Sequence, residues 1–285
     1  MRLIFLIFFT ATVTLNAFSN ADGSNAIYNS LEKPQNSETE NTLKQYAKSL
    51  YNFKAYNANY FLPLSYRYNG NYADTNGHKA KKTETEFQFS VKFDIATNIF
   101  GLEGIYSLAY TQKSFWQFYS DSAFFRESNY MPEFFVLFPA SEVDDGRFIK
   151  ALRFGVAHES NGRGGLEERS WNSINTSLFF QYKMLFTELK LWTRLPDNND
   201  YNPRLIDYMG HGYLKFMVPY KKNFVDLKLR YNFDKKGSAE LNYTYPMFGR
   251  DDLFLYIKLF SGYGESLIDY DKDIKKFGIG FSISR

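Results

Sequence analysis

Alternation of apolar and polar residues constrains the fold of this chain more than any other feature of its 285 residues. Between residues 84 and 96, every second side chain from Phe87 to Ile95 is apolar, and the side chains between them are polar or charged. Successive side chains of a β-strand point to opposite faces, so this period of two predicts a strand with one apolar and one polar face. The stretches 224–233 and 253–262 follow the same pattern.

Twelve such segments recur along the chain. They begin near residues 58, 84, 102, 130, 148, 171, 187, 209, 222, 238, 252 and 275. Most have about the 9–11 residues that a tilted strand needs to cross a bilayer. Most segments are therefore long enough to span a membrane as a strand, although they are too short to do so as a helix.

The connections between these segments alternate in length. Long, polar ones lie near 69–83, 113–129, 159–170, 195–208 and 263–273, and short ones lie near 97–101, 184–187, 219–221 and 247–251. Two depart from the alternation, because 139–147 is long for a turn and 234–237 is brief for a loop. An even strand number with short turns at one end and long loops at the other is typical of outer-membrane barrels. We predict an all-β fold, a twelve-stranded antiparallel transmembrane β-barrel, over residues 57–285.

The polar face distinguishes a membrane barrel from a soluble one. Soluble barrels such as lipocalins place apolar residues inside, and about eight strands suffice. Twelve strands enclose a wider interior, and the alternate positions here carry Lys, Glu, Asp, Gln and Tyr throughout. A polar interior with an apolar, lipid-facing exterior fits this pattern better. A soluble lipid-binding barrel is the weaker alternative.

The first residues have the pattern of a secretory signal peptide. One arginine precedes the apolar stretch Leu3–Val13, and small residues follow, with Ala17 and Ala21 as candidate cleavage positions. The apolar run is shorter than the ~18 residues of a transmembrane helix. We therefore predict a signal peptide over residues 1–21 and export to the outer membrane. Residues 22–56 are polar, and we expect them to form a poorly ordered periplasmic arm.

Composition excludes several classes of function. The chain has no cysteine, which excludes disulfides, thiolate metal sites and a cysteine nucleophile. Its net charge of +3 gives no clustered basic footprint, so no nucleic-acid partner is expected. The 30 Phe and 23 Tyr residues suit a sheet that has one apolar face and one wet face.

The stretch AHESNGRGG, residues 157–165, holds one of the three histidines of the chain. The period of two places His158 and Ser160 side by side at the end of an apolar row. Two interpretations stay open: the strand leaves the hydrocarbon here, or Ser160 is a nucleophile with His158 as its base, facing a substrate in the membrane. Asn172 starts the apolar row of the next strand. Strands on either side of one loop usually pair, so Asn172 is a candidate to orient the imidazole.

The connection that follows Ser160 combines flexible glycines with Glu167 and Glu168. Carboxylates and backbone carbonyls in a turn suit a hard cation such as Ca²⁺. A solvated, charged loop is the simpler interpretation, and the residues alone leave both open. The stretch is neither an EF-hand nor an HExxH zinc site, and His158 stands where the G-x-S-x-G elbow has its first glycine.

Six short motifs follow one another along the chain. They are YTQKSFWQ (110–117), FRESNYMPEFF (125–135), HESNGR (158–163), RSWN (169–172), YMG (208–210) and SGYGESLIDY (261–270). They occur in the order of the bacterial outer-membrane phospholipase A family, which the chain closely resembles from about residue 55 onward. The joint occurrence of H-x-S-N-G-R and R-S-W-N at this spacing is highly specific. The resemblance implies a twelve-stranded barrel with an active site on its outer surface, near the external leaflet.

The resemblance also implies an activity. It points to a calcium-dependent hydrolase of phospholipid and lysophospholipid acyl esters, of the A1/A2 and lysophospholipase type, that is active as a homodimer. Ser160 is then the nucleophile, His158 the general base and Asn172 the residue that orients the base. The catalytic interpretation of His158 and Ser160 is therefore favoured over an ordinary strand end.

A calcium site and a dimer interface follow from the same resemblance. Arg163 matches a carbonyl ligand of the family, Ser122 matches a carbonyl ligand that the partner subunit donates, and Gln112 matches the interface glutamine. Glu168 stands where the family has a hydroxyl ligand, and we predict it as a ligand because a carboxylate also binds Ca²⁺. Tyr201 replaces an acidic residue of a second calcium site, so no second site is predicted.

A passive, porin-like barrel without hydrolase activity is the alternative function. It would need a wide lumen and would conduct ions without hydrolysing esters. Against it, the polar face carries large side chains, such as Glu86, Lys92 and Arg153, which can fill a twelve-stranded interior.

Overall fold

A computed structural model describes residues 53–74, 77–140, 147–197, 200–232 and 236–284. The predicted signal peptide and most of the predicted arm lie outside these ranges. The strands are β1 Phe53–Ala55, β2 Tyr60–Arg67, β3 Thr83–Thr97, β4 Ile105–Trp116, β5 Phe125–Pro139, β6 Ile149–Ser160, β7 Ser170–Tyr182, β8 Leu185–Leu195, β9 Gly212–Tyr220, β10 Asn223–Tyr231, β11 Gly237–Pro246, β12 Phe254–Gly262 and β13 Ile274–Ser282. One α-helix, α1 Leu205–Met209, lies among the described residues, together with 3₁₀ turns at Ile99–Gly101 and Gly165–Glu167.

Strands β2 to β13 close into a barrel. Each strand pairs antiparallel with the next along the chain, and β13 pairs back onto β2, with Lys276 opposite Arg67 and Ser282 opposite Tyr60. The predicted twelve-stranded antiparallel barrel is therefore confirmed. The sequence does not predict β1, because its three residues are too few to show an alternation.

One strand begins well away from its predicted start. β5 begins at Phe125, five residues before the predicted start near 130. The first five residues of this strand include Arg126, Glu127 and Asn129, whose side chains are all buried among polar partners. A strand whose inner face is charged and whose outer face is also partly polar shows no hydrophobic alternation, so periodicity misses it.

The two faces of the barrel are inverted relative to a soluble protein. Large apolar side chains cover the outside: Leu108 is 50% exposed and Ile174 is likewise 50% exposed. Charged side chains point inward, and Glu86 and Lys258 are almost fully buried. This is the arrangement of a barrel that meets lipid with its outer face. No helix in the described ranges is both long and apolar enough to cross a membrane.

Ion pairs cross the lumen. Lys276 Nζ lies 2.8 Å from Glu84, 2.9 Å from Glu86 and 2.9 Å from Glu265, all buried. A buried charge without a partner costs several kcal/mol, roughly, so these charges are tolerated because they neutralise one another. A cavity of about 460 Å³ remains in the lumen. The large, paired side chains oppose the open channel that a passive porin would need.

The long-loop end of the barrel carries a small apolar cluster. It consists of Trp171, Trp192, Leu205 and Leu267, which come from β7, β8, α1 and the β12–β13 connection. Trp192 Nε1 also donates a hydrogen bond to the carbonyl of Gly210, at 2.9 Å. The cluster therefore fixes the connections at this end against the inner faces of β7 and β8.

Candidate active site

The imidazole of His158 and the amide of Asn172 are joined by a hydrogen bond. His158 lies near the end of β6 and Asn172 near the start of β7, and the register places them directly opposite each other. His158 Nδ1 lies 2.8 Å from Asn172 Oδ1. With Asn172 Oδ1 as acceptor, Nδ1 carries the proton and Nε2 presents a lone pair. This tautomer is the one that can accept a proton from a nucleophile.

Ser160 lies two residues beyond His158, on the same face of β6. The row that leads to them contains Phe154, 47% exposed, and Val156, 49% exposed, so this is the outer face. Alternate residues of a strand are about 7 Å apart at Cα, a span that an imidazole and a hydroxymethyl group can bridge. The structure therefore places His158, Ser160 and Asn172 on one patch of the outer surface, at the long-loop end. His158 and Asn172 are in contact, and no hydrogen bond joins Ser160 to His158 among the described residues.

The side chain of Asn161, which the sequence did not single out, holds together the connection between β6 and β7. The buried Asn161 accepts hydrogen bonds at Oδ1 from the N–H of Arg163, at 3.3 Å, and of Arg169, at 3.0 Å. Its Nδ2 donates to the carbonyl of Glu167 at 2.8 Å. A buried asparagine that satisfies three backbone groups gives the connection a fixed shape. Its place directly after Ser160 and before glycine is the only local signal.

The guanidinium of Arg163 is paired with groups of β5 and of its own connection. Its Nε lies 3.4 Å from the carboxylate of Glu127, which is fully buried, and it also donates to the Glu167 carboxylate and to the Arg126 carbonyl. The charge of Arg163 is thus used to anchor the connection to β5. Its backbone carbonyl is the part left for a cation, as a carbonyl-ligand role requires.

Glu168 lies at the other end of the same connection. Its N–H donates to the Gly165 carbonyl at 3.2 Å, and its carbonyl accepts from the Arg169 guanidinium at 2.6 Å. Among the described residues, its carboxylate has no hydrogen-bond or ionic partner. A carboxylate together with backbone carbonyls is a donor set that suits Ca²⁺. In the described ranges no three His, Asp or Glu side chains converge, so a cation here would depend on carbonyl oxygens as well.

Ser122 and Gln112 lie on the side of the site that β4 and β5 form. Ser122 is exposed in the β4–β5 connection, and no hydrogen bond or ion pair joins it to Arg163 or Glu168 within the described residues. Gln112 is on the outer face of β4, where its Oε1 accepts from the Tyr110 hydroxyl at 3.1 Å. Tyr130 lies opposite Gln112 on one side and opposite Ser160 on the other. Gln112 is therefore two strands from Ser160.

Comparison with known proteins agrees with this geometry. The family described as phospholipase A1 matches residues 35–283. Phospholipase A1 of Escherichia coli K12 is 35% identical over 208 residues, which cover 72% of this chain and 71% of that protein. Phospholipase A1 of Klebsiella pneumoniae is 34% identical over 208 residues, with 72% of each chain covered.

Solved structures match the barrel itself. Outer membrane phospholipase A from Escherichia coli has a TM-score of 0.74 and 32% identity, covering 81% of this chain and 98% of that one. A Salmonella typhi outer membrane phospholipase, solved as a dimer with bound calcium, gives a TM-score of 0.74 and 32% identity, covering 81% and 92%. Since the sequence match spans most of the chain and the structural match spans the barrel, this chain belongs to the phospholipase A1 family.

Proposed function

We propose that this chain is an outer-membrane phospholipase that hydrolyses acyl esters of phospholipids and lysophospholipids, with Ser160 as nucleophile, His158 as general base and Asn172 as the group that orients it. The observation that carries the residue assignment is the 2.8 Å hydrogen bond between His158 Nδ1 and Asn172 Oδ1, beside a serine on the lipid-facing side. Membership of the phospholipase A1 family supports the reaction class.

Acylation begins with the Ser160 hydroxyl. Its oxygen attacks the ester carbonyl carbon, and the proton passes to His158 Nε2, which the hydrogen bond at Nδ1 leaves unprotonated. The imidazolium then protonates the departing alkoxide as the carbon–oxygen bond of the ester breaks. The lysophospholipid or glycerophosphodiester leaves, and the acyl group stays on Ser160.

Deacylation repeats the path with water. His158 takes a proton from a water molecule, whose oxygen attacks the acyl carbonyl, and the imidazolium returns that proton to Ser160 Oγ. The products are a fatty acid and the free serine. Asn172 is neutral, so it fixes the ring orientation through both steps but stabilises the imidazolium less than an aspartate would.

Calcium dependence is part of the proposal, and the oxygen donors around the site support it. The carbonyl of Arg163 and the carboxylate of Glu168 would hold the ion, with the carbonyl of Ser122 supplied by a partner subunit. The anchored guanidinium of Arg163 and the unpaired carboxylate of Glu168 fit these roles. Bound calcium would stabilise the negative charge that develops on the ester carbonyl oxygen.

A homodimer is proposed as the active state. Gln112 is a polar residue on a lipid-facing strand, and its amide donates to Ser114 Oγ at 3.1 Å. A polar side chain at this depth costs less when a second copy covers it. Because Gln112 is two strands from Ser160, a dimer formed there would lie beside the nucleophile. The outer-membrane location, reached through a signal peptide over residues 1–21, completes the proposal.

Fatty-acid release from a phospholipid in mixed micelles tests this function. We expect calcium-dependent release by the folded chain and a fall of about 10⁴-fold or more in kcat for Ser160→Ala. Ser170→Ala is the matched control, because Ser170 lies directly opposite Ser160 and has no assigned role. Activity that survives in Ser160→Ala, or that is indifferent to a chelator, would contradict the proposal.

A further inference from the structure

A second pair of side chains lies on the reverse side of the proposed active site. Glu159 and Trp171 are directly opposite each other on β6 and β7, and both face the lumen. Trp171 Nε1 donates a hydrogen bond to Glu159 Oε2 at 2.9 Å. The next pair in the same register, on the opposite face, is His158 with Asn172.

The indole donor is itself held in place. Trp171 is largely buried in the apolar cluster with Trp192, Leu205 and Leu267. The rings of Trp171 and Trp192 have centroids 6.2 Å apart. Because these contacts come from three other parts of the chain, Trp171 presents its N–H from a rigid position.

Glu159 differs from the other acidic side chains of the lumen. Glu84, Glu86 and Glu188 each lie within ion-pair distance of a lysine or arginine. Among the described residues, Glu159 has no ion-pair partner within 4.0 Å, and the Trp171 indole is its one side-chain hydrogen-bond partner. The paired charges of the lumen therefore do not explain why a carboxylate is present at position 159.

We infer that Glu159 and Trp171 are positioning residues for the proposed hydrolysis: their hydrogen bond fixes the end of β6 to the start of β7 in the register that sets His158 opposite Asn172. The inference rests on the proposed function. β6 ends at Ser160, directly before a glycine-containing connection, where strand pairing by the backbone alone frays most readily. A side-chain bond at the adjacent pair holds the last residues together, and an error of about 1 Å in a catalytic group can cost about 10²-fold in rate.

Four variants test this role. Glu159→Leu removes the acceptor, and Trp171→Phe removes the donor but keeps an aromatic ring in the cluster. We expect each to lower kcat by about tenfold or more and to change KM by less than about threefold, since lipid binding is untouched. Glu159→Gln keeps an oxygen acceptor without the charge, and we expect it to retain kcat within about threefold of the wild type. The double variant Glu159→Leu/Trp171→Phe should be no worse than either single variant, because both remove one bond.

Asp226→Leu is the matched control. Asp226 accepts a hydrogen bond at 3.0 Å from Asn242, which is directly opposite it on the lumen face of β10 and β11, and it also lies 3.6 Å from Lys215 Nζ. We expect this variant to lose at least as much stability in urea unfolding as Glu159→Leu, because an ion pair is lost with the hydrogen bond, while keeping its kcat. A purely structural role for Glu159 would lower kcat equally in both, or in neither, and would overturn the inference.

Two further outcomes separate this inference from the proposed function. Retained activity in Ser160→Ala would contradict the proposed function. The hydrogen bond itself could still be tested through the indole N–H resonance of Trp171 in an NMR spectrum. This resonance should shift upfield in Glu159→Leu and stay near its wild-type position in Glu159→Gln. With Ser160 established as the nucleophile, equal loss of kcat in Glu159→Gln and Glu159→Leu would show that the charge matters and would overturn the hydrogen-bond role.

Discussion

Gly162 lies against the ring of Tyr130, so closely that a Cβ on the glycine would come within 3.0 Å of Tyr130 Cε2. Gly162 also has a φ of +64°, a conformation that L-residues with side chains rarely adopt. Tyr130 is in turn directly opposite Ser160 on the lipid-facing side. The backbone conformation after the nucleophile and the ring beside it are therefore coupled.

Replacing Gly162 should disturb this contact. In Gly162→Ala we expect a loss of about 1–2 kcal/mol in the free energy of unfolding, from the left-handed conformation and the crowded ring. We expect kcat for fatty-acid release to fall by about tenfold or more, since Ser160 or Tyr130 must shift. Gly164→Ala is the control, because a Cβ there meets no atom within 4 Å and Gly164 is extended. Equal losses in both variants would argue against the coupling.

The hydrogen bond between Asn172 and His158 should contribute through its acceptor oxygen. Asn172→Ala removes that oxygen and frees the ring to rotate and change tautomer, so we expect kcat to fall by about 10²–10⁴-fold. Asn172→Asp keeps an oxygen acceptor and should retain far more activity than Asn172→Ala. The measurement is kcat for ester hydrolysis at saturating calcium. If the two variants were equally impaired, orientation through the acceptor would be wrong.

The carboxylate of Glu168 should set the calcium requirement. We expect Glu168→Ala to raise the calcium concentration for half-maximal activity by about tenfold or more, because a charged ligand is lost. Isothermal titration of calcium into the micellar protein should show the same weakening independently of activity. Glu103→Ala removes an exposed carboxylate from the β3–β4 connection and should change neither value. An unchanged calcium requirement in Glu168→Ala would exclude this residue as a ligand.

The ion pairs of Lys276 should contribute strongly to the free energy of unfolding of the barrel. Lys276→Met would leave Glu84, Glu86 and Glu265 with fewer cations, and breaking a buried pair from one side costs about 3–5 kcal/mol. We expect that loss in urea unfolding followed in detergent or lipid. Lys275→Met replaces the exposed neighbouring lysine and should change the unfolding free energy by less than about 0.5 kcal/mol. Similar values for both variants would show that the lumen pairs contribute little.

Most of the barrel could be predicted from the sequence because each strand carries its own signal. Alternation is a local property, and it located twelve strands and, where apolar residues recur at every second position, the face that those residues share. It missed the start of β5, where Arg126 and Glu127 replace the apolar pattern. It also missed α1, whose first four residues lie in the predicted connection 195–208 and whose last, Met209, lies at the predicted start of the next strand. Short elements and charged strand ends owe their structure to contacts from elsewhere in the chain, which no local pattern records.

The candidate site divides in the same way. The phase of two strands on either side of one connection predicted that Asn172 reaches His158, and the 2.8 Å hydrogen bond confirms that contact. The anchoring of Arg163 on Glu127 and the bond between Trp171 and Glu159 were not predicted. The first joins different hairpins, and the second lies on the face that carries no apolar signal. The calcium ligands and the catalytic roles stay predictions.

The geometry of the His158–Asn172 pair is set by the pairing of two strands and not by the loop that joins them. The register that sets His158 opposite Asn172 is made by the pairing of β6 with β7, whereas residues 162–168 contribute the oxygen atoms proposed for the cation. A one-residue deletion within β6 turns every later side chain of that strand to the other face. His158 would then face the lumen. A deletion or insertion in β6 would therefore separate His158 from Asn172 even where the connection after it kept its length.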